Sequence, residues 1–511
     1  MLITKRFSYF AKVILTAIAS TILIFFAQSA LAQGETQIAL FLFIATAAII
    51  ITYLTRVSIP LKFFLPGMLF LFAFVLGPVI YTISMSTFQY QTGNYISKPQ
   101  SIERLLELGV ISDENAPSFD VVLGKTSTGK LAILASNSQI KRYFLSTKDE
   151  ITDLAPSELT LDENGVAQSA PNFTVLNAAD RSKLDKEIAS TRFKYQGDFF
   201  IKLEGLSAGL INQQSLFYDS ASDTFKNKLT GATYKDNGRG NYANIDNPSE
   251  ILQPGWRSPI WFDHYKNLVT DPTIRKPLFK VFVWTFTFAF LTVLTQFALG
   301  LLVALTLNKP FFGRRFYRSI FILPYAMPSI MSILIWGGMF DTEFGAINNL
   351  FGTNIAWFQN ATFARAAVIV VNLWLGFPYF YLVTSGALQA IPSELAEAAA
   401  IDGAKPRQIF SRVTLPLLLQ IVSPLLVASF AFNFNNFNLI YLLTGGGPTN
   451  LLDGEIAGAT DILISYTYKI AFGTNIQNLG LASAISVIIF LIVASISLYG
   501  IRRSKVLDSF K

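Results

Sequence analysis

The sequence predicts an all-α membrane protein of eight transmembrane helices, with a β-rich domain inserted outside the membrane. The 511 residues are 52% hydrophobic and only 14% charged, with a mean hydropathy of +0.44, whereas soluble domains carry about 25% charged residues. Eight stretches approach the ~20 apolar residues that a helix needs to cross a ~30 Å hydrocarbon core. One polar stretch, residues 88–276, is long enough to fold as a domain.

The predicted spans divide the chain into three regions. Three spans lie in residues 1–87, the polar domain occupies residues 88–276, and five spans lie in residues 277–505. The longest loop on the side of the termini is residues 389–416. The eight spans run from Val13 to Leu31, Ile38 to Thr55, Phe63 to Ser84, Val281 to Leu307, Ile320 to Phe340, Ala366 to Leu388, Leu418 to Leu443 and Leu481 to Ile501.

An even number of spans places both termini on the same side of the membrane. The loops on that side hold 16 basic and 4 acidic residues, a net charge of +12, whereas residues 88–276 hold 21 basic and 23 acidic residues. Because short cytosolic loops carry the excess of Lys and Arg, both termini are expected in the cytoplasm. The net charge of +7 then follows from topology, and we expect no nucleic-acid partner.

The N-terminus also fits a second interpretation. Lys5, Arg6 and Lys12 precede an apolar run that ends in residues 30–32, Ala-Leu-Ala, which is the pattern of a cleavable signal peptide. The run is long enough to cross a bilayer, so we expect it to remain as the first span. In either case the second span starts outside, and the remaining topology is unchanged.

The external domain is predicted to consist of strands with a few helices. Apolar and polar residues alternate in Phe119–Leu123, Leu131–Leu134 and Phe193–Phe200, between Gly, Asn, Asp and Ser, as is typical of strands. Helices are expected at Ser101–Leu108 and Ala178–Thr191.

One segment of this domain imitates a nucleotide-binding loop. Residues Gly124–Lys130 fit the pattern G-x-x-x-x-G-K, but Leu131 occupies the position of the Ser or Thr that would bind Mg²⁺. The segment also lies between two predicted strands instead of opening a helix. We therefore predict a hairpin turn and no nucleotide site.

The composition excludes several classes of chemistry. Cysteine is absent and His264 is the single histidine, so disulfides, zinc sites of Cys and His, and Ser-His or Cys-His catalysis are not expected. We predict no catalytic residue and no metal site, and we assign His264 no chemistry. A membrane-anchored enzyme that uses the external domain stays an alternative, because paired carboxylates can come together from distant positions.

The loop 389–416 is predicted to begin with a short helix. Pro392 suits the first helical position, and Glu394 and Glu397 lie near the positive end of the helix dipole. The pair at 402–403, Asp-Gly, is expected to end this helix.

A second helix in the same loop is expected to start at Pro406 and end towards Pro416. Its apolar face consists of Ile409, Phe410 and Val413. Two short helices on a membrane face favour a docking element for another protein. An amphipathic connector that lies on the lipid headgroups is the alternative.

The same loop resembles the signature of ATP-binding-cassette importer permeases, E-A-A…D-G-A…F…L-P. The matching residues are Glu397-Ala398-Ala399, Asp402-Gly403-Ala404, Phe410 and Leu415-Pro416. In that family the first helix of the loop sits in a cleft of the cytosolic ATPase subunit and transmits its movements. The resemblance therefore implies a type I importer permease core whose coupling residues are Glu397, Ala398, Asp402, Gly403 and Ala404.

A wider resemblance concerns the large permease subunits of maltose/maltodextrin importers. Three additional N-terminal helices, a long external domain, and the strings Ala431–Phe437 and Gly445–Pro448 are similar to that family. Similar residues are frequent from about Val281 onwards. Before that point, only the arrangement of helices and external domain is similar. It implies a multi-pass protein of the bacterial inner membrane, surrounded by membrane lipid, that translocates maltose or maltodextrins.

The partners are also implied by this resemblance. They are a second, homologous permease, a dimer of cytosolic ATPase subunits and a periplasmic sugar-binding protein. ATP and Mg²⁺ would be bound by the ATPase, so this chain is expected to hold no cofactor and to be a transport subunit, not an enzyme.

The predicted spans contain almost no ionisable residue. Lys280 and Arg365 lie near helix boundaries, and the interiors hold none. Proton-coupled carriers usually place Asp, Glu or His within the bilayer, so the sequence argues against proton-driven transport and against a charged substrate. A secondary transporter is the less favoured alternative, because it also predicts an internal repeat. A permease for another neutral oligosaccharide stays open.

Amides, hydroxyls and aromatic rings in two spans suggest a sugar site. One helical face of the seventh span carries residues at i, i+3, i+4 and i+7, namely Ser429, Phe432, Asn433 and Asn436. The sixth span has a similar set, Asn372, Leu375, Gly376 and Tyr379. Rings pack on the C–H faces of sugars, while amides and hydroxyls bond their hydroxyl groups.

The resemblance to maltose permeases implies which of these residues bind the sugar. They are Leu375, Gly376, Tyr379, Ser429, Phe432, Asn433 and Asn436. The alternative for polar residues in spans is hydrogen bonding between helices. We prefer that alternative for Asn435 and Asn438, which a continuous helix would direct elsewhere.

Prolines inside the spans predict bends. Pro324 and Pro328 lie in the fifth span, Pro378 in the sixth and Pro424 in the seventh, and each removes a backbone donor. We expect these positions to let the helices pivot about a site at the middle of the membrane.

Overall fold

The structure is a computed structural model that describes residues 2–32, 36–55, 59–112, 116–205, 207–308, 310–449, 456–473 and 477–503. These residues form two compact units. The helical unit comprises the described residues of Met1–Thr87, Phe262–Asn475 and Leu479–Lys511, and the β-rich unit those of Phe88–Trp261 with residues 477–478. Several residues used in the signal-peptide and charge predictions lie outside the described residues, namely Gln33, Arg56, Lys309, Lys505, Asp508 and Lys511.

The first part of the helical unit consists of apolar helices. They are α1 (Leu2–Ala32), α2 (Thr36–Leu54), α3 (Ile59–Leu71) and α4 (Gly77–Met85). A π-helical turn at Phe72–Leu76 joins α3 to α4, so the third predicted span is one helical run from Ile59 to Met85.

The β-rich unit contains short strands and two helices. The helices are α5 (Lys98–Leu108) and α6 (Ala178–Ser190), and a 3₁₀ turn spans Pro156–Glu158. The strands are β1 (Phe88–Gln89), β2 (Val110–Ser112), β3 (Phe119–Thr126), β4 (Leu131–Asn137), β5 (Arg142–Thr147), β6 (Ile151–Asp153), β7 (Thr160–Leu161), β8 (Ala167–Ser169), β9 (Phe173–Val175), β10 (Phe193–Lys194), β11 (Phe199–Glu204), β12 (Ala208–Gln214), β13 (Leu216–Asp219), β14 (Thr224–Asn227), β15 (Thr233–Asp236), β16 (Tyr242–Asn244) and β17 (Ser258–Pro259).

Antiparallel pairing organises these strands. The main sheet has the order β10-β11-β12-β3-β4-β5-β6, with β2 beside β12 and β9 beside β3, and a second sheet has the order β13-β14-β15-β16. The alternating residues found in the sequence supply the core of the main sheet, where Phe119, Ile133, Phe144 and Ile201 are fully buried or nearly so. The prediction of an inserted β-rich region is thereby confirmed.

The segment that imitates a nucleotide-binding loop is a hairpin turn, as predicted. Strands β3 and β4 pair antiparallel up to Lys125 and Leu131. Between them, Thr126 N donates to Lys130 O at 2.9 Å, and Gly129 adopts a φ of +80°. No helix starts here among the described residues, so the geometry that cradles phosphates is absent from this part of the chain.

Lys98 in helix α5 forms ion pairs with two carboxylates of the four-stranded sheet, beside the apolar packing of Leu105. Lys98 Nζ lies 2.6 Å from Asp223 Oδ2 and 2.7 Å from Asp236 Oδ2, and it lies over the ring of Trp256 at 4.8 Å. Burial by itself would raise the pKa of Asp223, but hydrogen bonds from Lys98, Tyr242 and Tyr218 lower it to about 2. The charged form of Asp223 therefore stabilises this contact.

Replacing Asp223 with Asn should destabilise the β-rich unit at neutral pH and change little in strong acid. Because the folded-state pKa lies below the ordinary value of 3.8, the charge stabilises the fold above about pH 4, and this stabilisation is lost as the pH falls towards 2. The measurement is the urea midpoint of the full chain in detergent at pH 7 and pH 2, followed by tryptophan fluorescence in a variant that keeps Trp256 and replaces the other five tryptophans with Phe.

The matched control for this prediction is Asp149→Asn. Asp149 pairs with Lys130 at 3.0 Å, but more than half of each side chain is exposed, and such surface pairs contribute little. An Asp223→Asn variant with the same deficit at both pH values would contradict the role of the charge.

The second part of the helical unit contains the remaining helices. They are α7 (Asp263–Thr270), α8 (Pro272–Asn308), α9 (Arg314–Ala326), α10 (Ser329–Met339), α11 (Ala346–Phe351), α12 (Ala361–Ala390), α13 (Ser393–Ile401), α14 (Pro406–Ile409), α15 (Leu415–Phe434), α16 (Phe437–Leu443), α17 (Leu463–Tyr468) and α18 (Leu479–Arg503). Five-residue π-helical turns follow α14, at Phe410–Thr414, and α17, at Lys469–Gly473.

The number of long apolar helices can be compared with the eight predicted spans. Among the described residues, six helices are long and apolar enough to cross a membrane, and α9 with α10 gives a seventh crossing if the pair is one span. The second predicted span corresponds to a shorter apolar helix, Ile38–Leu54. The chain is therefore a polytopic helical membrane protein with at least six apolar helices of spanning length in its described part.

Helices α8 and α12 pack closely. Gly300 in α8 faces the backbone of Phe380 and Tyr381, and any Cβ at position 300 would overlap them. Small residues at such crossings let transmembrane backbones approach. On other turns of the same two helices, buried apolar side chains from α8, α10, α12 and α16 form one core, which includes Phe288, Ile333, Val371 and Leu439. The pair α8–α12 thus packs both through a close backbone approach and through this core.

The fifth predicted span is not a continuous helix. Helices α9 and α10 are bent by 94° at the short break between them. Met327 is extended there, with ψ of 141°, because the ring of a following proline disfavours helical geometry. Of the prolines predicted to bend spans, Pro328 therefore has the largest effect, whereas Pro378 and Pro424 lie inside α12 and α15 without ending them.

The seventh predicted span is also interrupted. Helix α15 ends at Phe434, and α16 begins at Phe437. Asn435 has φ and ψ of −112° and 22°, and Asn436 has −77° and 68°, so neither continues the helix. Asn side chains bond nearby backbone in non-helical conformations, and two in succession favour a break at this point.

Candidate binding cavity and coupling loop

A cavity of about 610 Å³ lies inside the helical unit. Its wall includes all seven residues that the sequence analysis selected, Leu375, Gly376, Tyr379, Ser429, Phe432, Asn433 and Asn436. The rest of its lining is Gln296, Pro324, Tyr325, Met327, Ser329, Ile333, Asn372, Ala428, Asn438 and Leu439. The volume falls within the roughly 300–1,000 Å³ of small-molecule sites.

The α12 side of the cavity depends on a close approach to α8. A Cβ at Gly376 would overlap the amide of Gln296, so only glycine leaves space for that side chain. Gln296 is 4% exposed, and its Nε2 donates to Asn372 O at 2.6 Å. Gln296 was not among the residues predicted from the sequence, although a lone amide in an otherwise apolar span is a signal that points to it.

Hydrogen bonds between side-chain amides connect α12 with α15. Asn372 Nδ2 donates to Asn433 Oδ1 at 2.7 Å, and Asn433 Nδ2 donates to Ser429 O at 2.8 Å. Asn433 is 3% exposed, and both ends of its amide are already bonded. In this structure Asn433 therefore joins two helices, while Ser429 and Asn436 are half-buried beside the cavity.

Aromatic side chains give the cavity apolar surface. The ring of Phe432 is 71% exposed, and Tyr379 contacts Phe380 edge to face at 5.3 Å between ring centroids. Tyr325, from the bent fifth span, is 56% exposed and lines the same cavity. The bend brings Tyr325 and its neighbours into the wall, which a straight helix did not predict.

The helix break at residues 435–436 changes which asparagines reach the cavity. Asn438 lines it, contrary to the expectation that a continuous helix directs this residue elsewhere. Asn435 does not line it, and its Nδ2 lies 3.4 Å from Ala431 O in its own helix. The prediction for Asn438 was wrong because α16 starts again with a different rotation.

The cavity lining carries no formal charge. Its 17 residues include none of Asp, Glu, Lys, Arg or His. In the described residues of the chain, no group of three or more His, Cys, Asp or Glu could hold a metal ion. His264 is 4% exposed in the short helix α7. The arrangement is suited to binding a neutral molecule through amides, hydroxyls and rings.

The first helix of the loop 389–416 ends in a glycine motif. Ala404 N donates to Ala399 O and Gly403 N to Ala400 O, both at 3.0 Å, which is the Schellman pattern of helix ends. Gly403 has a φ of +81°. This conformation is unfavourable for residues that have a Cβ atom. The predicted end of this helix at residues 402–403 is observed, whereas Pro392 precedes α13 instead of occupying its first position.

Most of the surface of α13 is left exposed by the described residues. None of its residues is buried, and its apolar side chains Leu395 and Ile401 are 45% and 87% exposed. The predicted coupling residues lie at or just after this surface, where Glu397, Ala398, Asp402 and Gly403 are exposed and Ala404 is half-buried. Apolar groups so exposed on a structured element are typical of a protein interface.

The second helix of the loop does not end at Pro416. It continues through the π-helical turn Phe410–Thr414 into α15, so that Pro406–Phe434 is one run of 29 residues. Pro416 lies inside this run, two residues after the π-helical turn, where the regular ladder of helical hydrogen bonds is already interrupted. The second part of the loop, from Pro406 onwards, and Phe432 therefore belong to one helix, whereas α13 precedes it.

Two family models match the sequence. Residues 296–504 match the binding-protein-dependent transport system inner membrane component, and residues 69–149 match the N-terminal region of the transmembrane subunit in binding-protein-dependent ATP-binding-cassette transporters. Together they cover both sides of the inserted β-rich unit and its first strands.

Curated relatives are similar over nearly the whole chain. The maltose/maltodextrin transport system permease protein MalF of Vibrio vulnificus is 36% identical over 93% of this chain and 90% of its own length. MalF of Klebsiella aerogenes is 34% identical and that of Escherichia coli O157:H7 33% identical, each over 93% of this chain and 92% of its own length.

Solved structures include a bacterial transporter that imports the acidic polysaccharide alginate. It is 23% identical, covers 48% of this chain and 84% of that chain, and has a TM-score of 0.41.

Proposed function

Because this chain belongs to the MalF family of maltose/maltodextrin transport permeases, we propose that it carries maltose and maltodextrins through its cavity. It is a multi-pass inner-membrane permease subunit of an ATP-binding-cassette importer. The observation that supports the substrate most is the uncharged cavity, in which amides, hydroxyls and aromatic rings from α8, α12, α15 and α16 converge.

The chemistry of the cavity fits a neutral sugar. Phe432 and Tyr379 offer ring faces and edges for C–H groups, while Ser429 and Asn436 offer polar atoms to hydroxyls. A carboxylate substrate would enter without a cationic partner, at a high desolvation cost. We therefore assign Leu375, Gly376, Tyr379, Ser429, Phe432 and Asn436 to substrate contact, and Asn433 to the same wall as a hydrogen-bonded support.

The coupling residues Glu397, Ala398, Asp402, Gly403 and Ala404 are assigned to an interface with a cytosolic ATPase. Exposed apolar side chains on α13 support this assignment, since nothing in the described chain covers them. The continuous helix from Pro406 to Phe434 is roughly 40 Å long at 1.5 Å per residue. A displacement of the loop would therefore reach the Phe432 wall directly.

In this mechanism ATP binding and hydrolysis by two ATPase subunits, with Mg²⁺ in their own sites, drive alternation between outward and inward access. A second, homologous permease would complete the pathway, and both termini would lie in the cytoplasm. A periplasmic sugar-binding protein would deliver the substrate, and the β-rich unit would hold it in place. Each ligand must favour one conformation for such a cycle to run. The bend at Met327–Pro328 and the break at 435–436 are suited to act as hinges.

Reconstitution tests this function. The chain, the second permease, the ATPase and the binding protein are placed in liposomes, and uptake of maltose, maltotriose, trehalose and charged alginate fragments is measured with ATP hydrolysis. We expect sugar-dependent hydrolysis and uptake of maltose and maltotriose only with all components present. Uptake by this chain alone would contradict the proposal, and preference for trehalose would point to a permease for another neutral oligosaccharide.

A further inference from the structure

Asn438 reaches the cavity because of the break between α15 and α16. On a continuous helix with 100° per residue, Asn438 would lie about 180° away from Ser429, on the opposite face. The non-helical backbone of Asn435 and Asn436 rotates the following helix. As a result Ser429 and Asn438 both line the cavity.

The amide of Asn438 lacks the hydrogen bonds that its neighbours have. Asn372 and Asn433 bond to each other, and Asn435 is directed at its own helix. The side chain of Asn438 is exposed, and within the described ranges no residue donates to it or accepts from it. Because no described residue bonds this amide, only water or a ligand in the cavity can satisfy its two donors and its acceptor.

Helix α16 is held in place by its other residues. Leu439, Ile440 and Leu443 are buried in the core of the helical unit. On another side, the rings of Phe437 and Tyr441 are stacked at 5.0 Å, and Phe437 also contacts Tyr468 at 5.0 Å. The orientation of Asn438 is therefore fixed by apolar packing in which its own side chain takes no part.

We propose that Asn438 is a further specificity-determining residue, whose amide donates to and accepts from hydroxyl groups of the neutral sugar in the cavity. This inference rests on the proposed function. A side-chain amide offers two donors and an acceptor, which complements hydroxyl groups that are themselves both donors and acceptors. An apolar residue of the same size would leave the sugar hydroxyls without a partner and would discriminate against them.

The test compares Asn438→Leu with Asn349→Leu in the complete importer in liposomes. For Asn438→Leu we expect KM for maltose to rise roughly three- to tenfold, the effect of one hydrogen bond, with near-normal yield and assembly. Asn438→Gln, which keeps the amide, should recover part of the affinity. Asn349 is exposed in helix α11 and does not line the cavity, so Asn349→Leu, which removes an amide elsewhere, should keep the original KM.

The outcomes separate this inference from the proposed function. Wild-type kinetics for Asn438→Leu, together with loss of transport in Phe432→Ala, would overturn the role of Asn438 and leave the cavity assignment standing. Full transport in both variants would overturn the cavity assignment itself. If Asn438→Leu fails to copurify with the second permease, the amide serves that interface and the inference is wrong.

Discussion

Substituting Val for Gly403 is expected to disconnect ATP hydrolysis from sugar transport in the assembled importer. Gly403 has a φ of +81°, which costs an ordinary residue roughly 1–2 kcal/mol and a β-branched residue more. No atom lies within 4 Å of a Cβ built at this position, so the penalty is in the backbone and not in a clash. We expect the loop to leave its glycine motif and transport to fall at least tenfold.

The measurement is the ratio of ATP hydrolysed to sugar imported in proteoliposomes, together with copurification of the ATPase. Gly386→Val is the matched control, because Gly386 also has free space but lies inside helix α12 without a positive φ. Normal coupling in Gly403→Val would show that the turn at this position is not needed for the interface.

Phe432→Ala is expected to remove most sugar-dependent transport while leaving the fold intact. The ring is 71% exposed in the cavity and belongs to none of the buried clusters of the described chain. Burying a phenylalanine ring against a ligand is worth roughly 1.5–3 kcal/mol, so transport efficiency should fall about 10- to 100-fold.

Initial rates of maltose uptake, with sugar-stimulated ATP hydrolysis, measure this effect. Phe490→Ala is the control, since Phe490 is 55% exposed on α18 and does not line the cavity. If Phe432→Ala transports maltose as the wild type does, the sugar binds elsewhere in the helical unit.

The sequence predicted the components of the cavity better than its shape. Helical periodicity correctly grouped Ser429, Phe432 and Asn433, because these three lie within the unbroken part of α15. Periodicity failed at Asn438, since it assumes a constant rotation that the break at residues 435–436 removes. Residue spacing carries no information about a break whose energy depends on the neighbouring helices.

The predicted effects of the prolines were also partly right and partly wrong. Pro328 was recognised as a source of bending, but a bend of 94°, which turns Tyr325 into the cavity, depends on tertiary packing as well as on the missing donor. Pro416 was expected to end a helix, yet the π-helical turn at Phe410–Thr414 precedes it and the helix continues. The π-helical turn already interrupts the regular ladder of hydrogen bonds at this point, so the missing donor of Pro416 does not end the helix.

The contact between Gln296 and Gly376 could not be predicted from sequence patterns. The two residues are 80 positions apart, and the packing of α8 on α12 places the amide against the glycine. In the β-rich unit, by contrast, alternation predicted strand β3 well, because each residue's side of the sheet is a local property. Strand β4 is buried on both faces and was found as an apolar run.

The pairing of the first and last strands of the β-rich unit has a consequence for the ancestry of the chain. Phe88 is opposite Pro259 and Gln89 opposite Ser258 in antiparallel register, so the chain enters and leaves this unit at points about 5 Å apart. A connection of ~2–5 residues can join such strands. The segment between these strands could thus have been acquired, exchanged or lost in a single genetic event, whereas residues 477–478 of the same unit come from a later part of the chain.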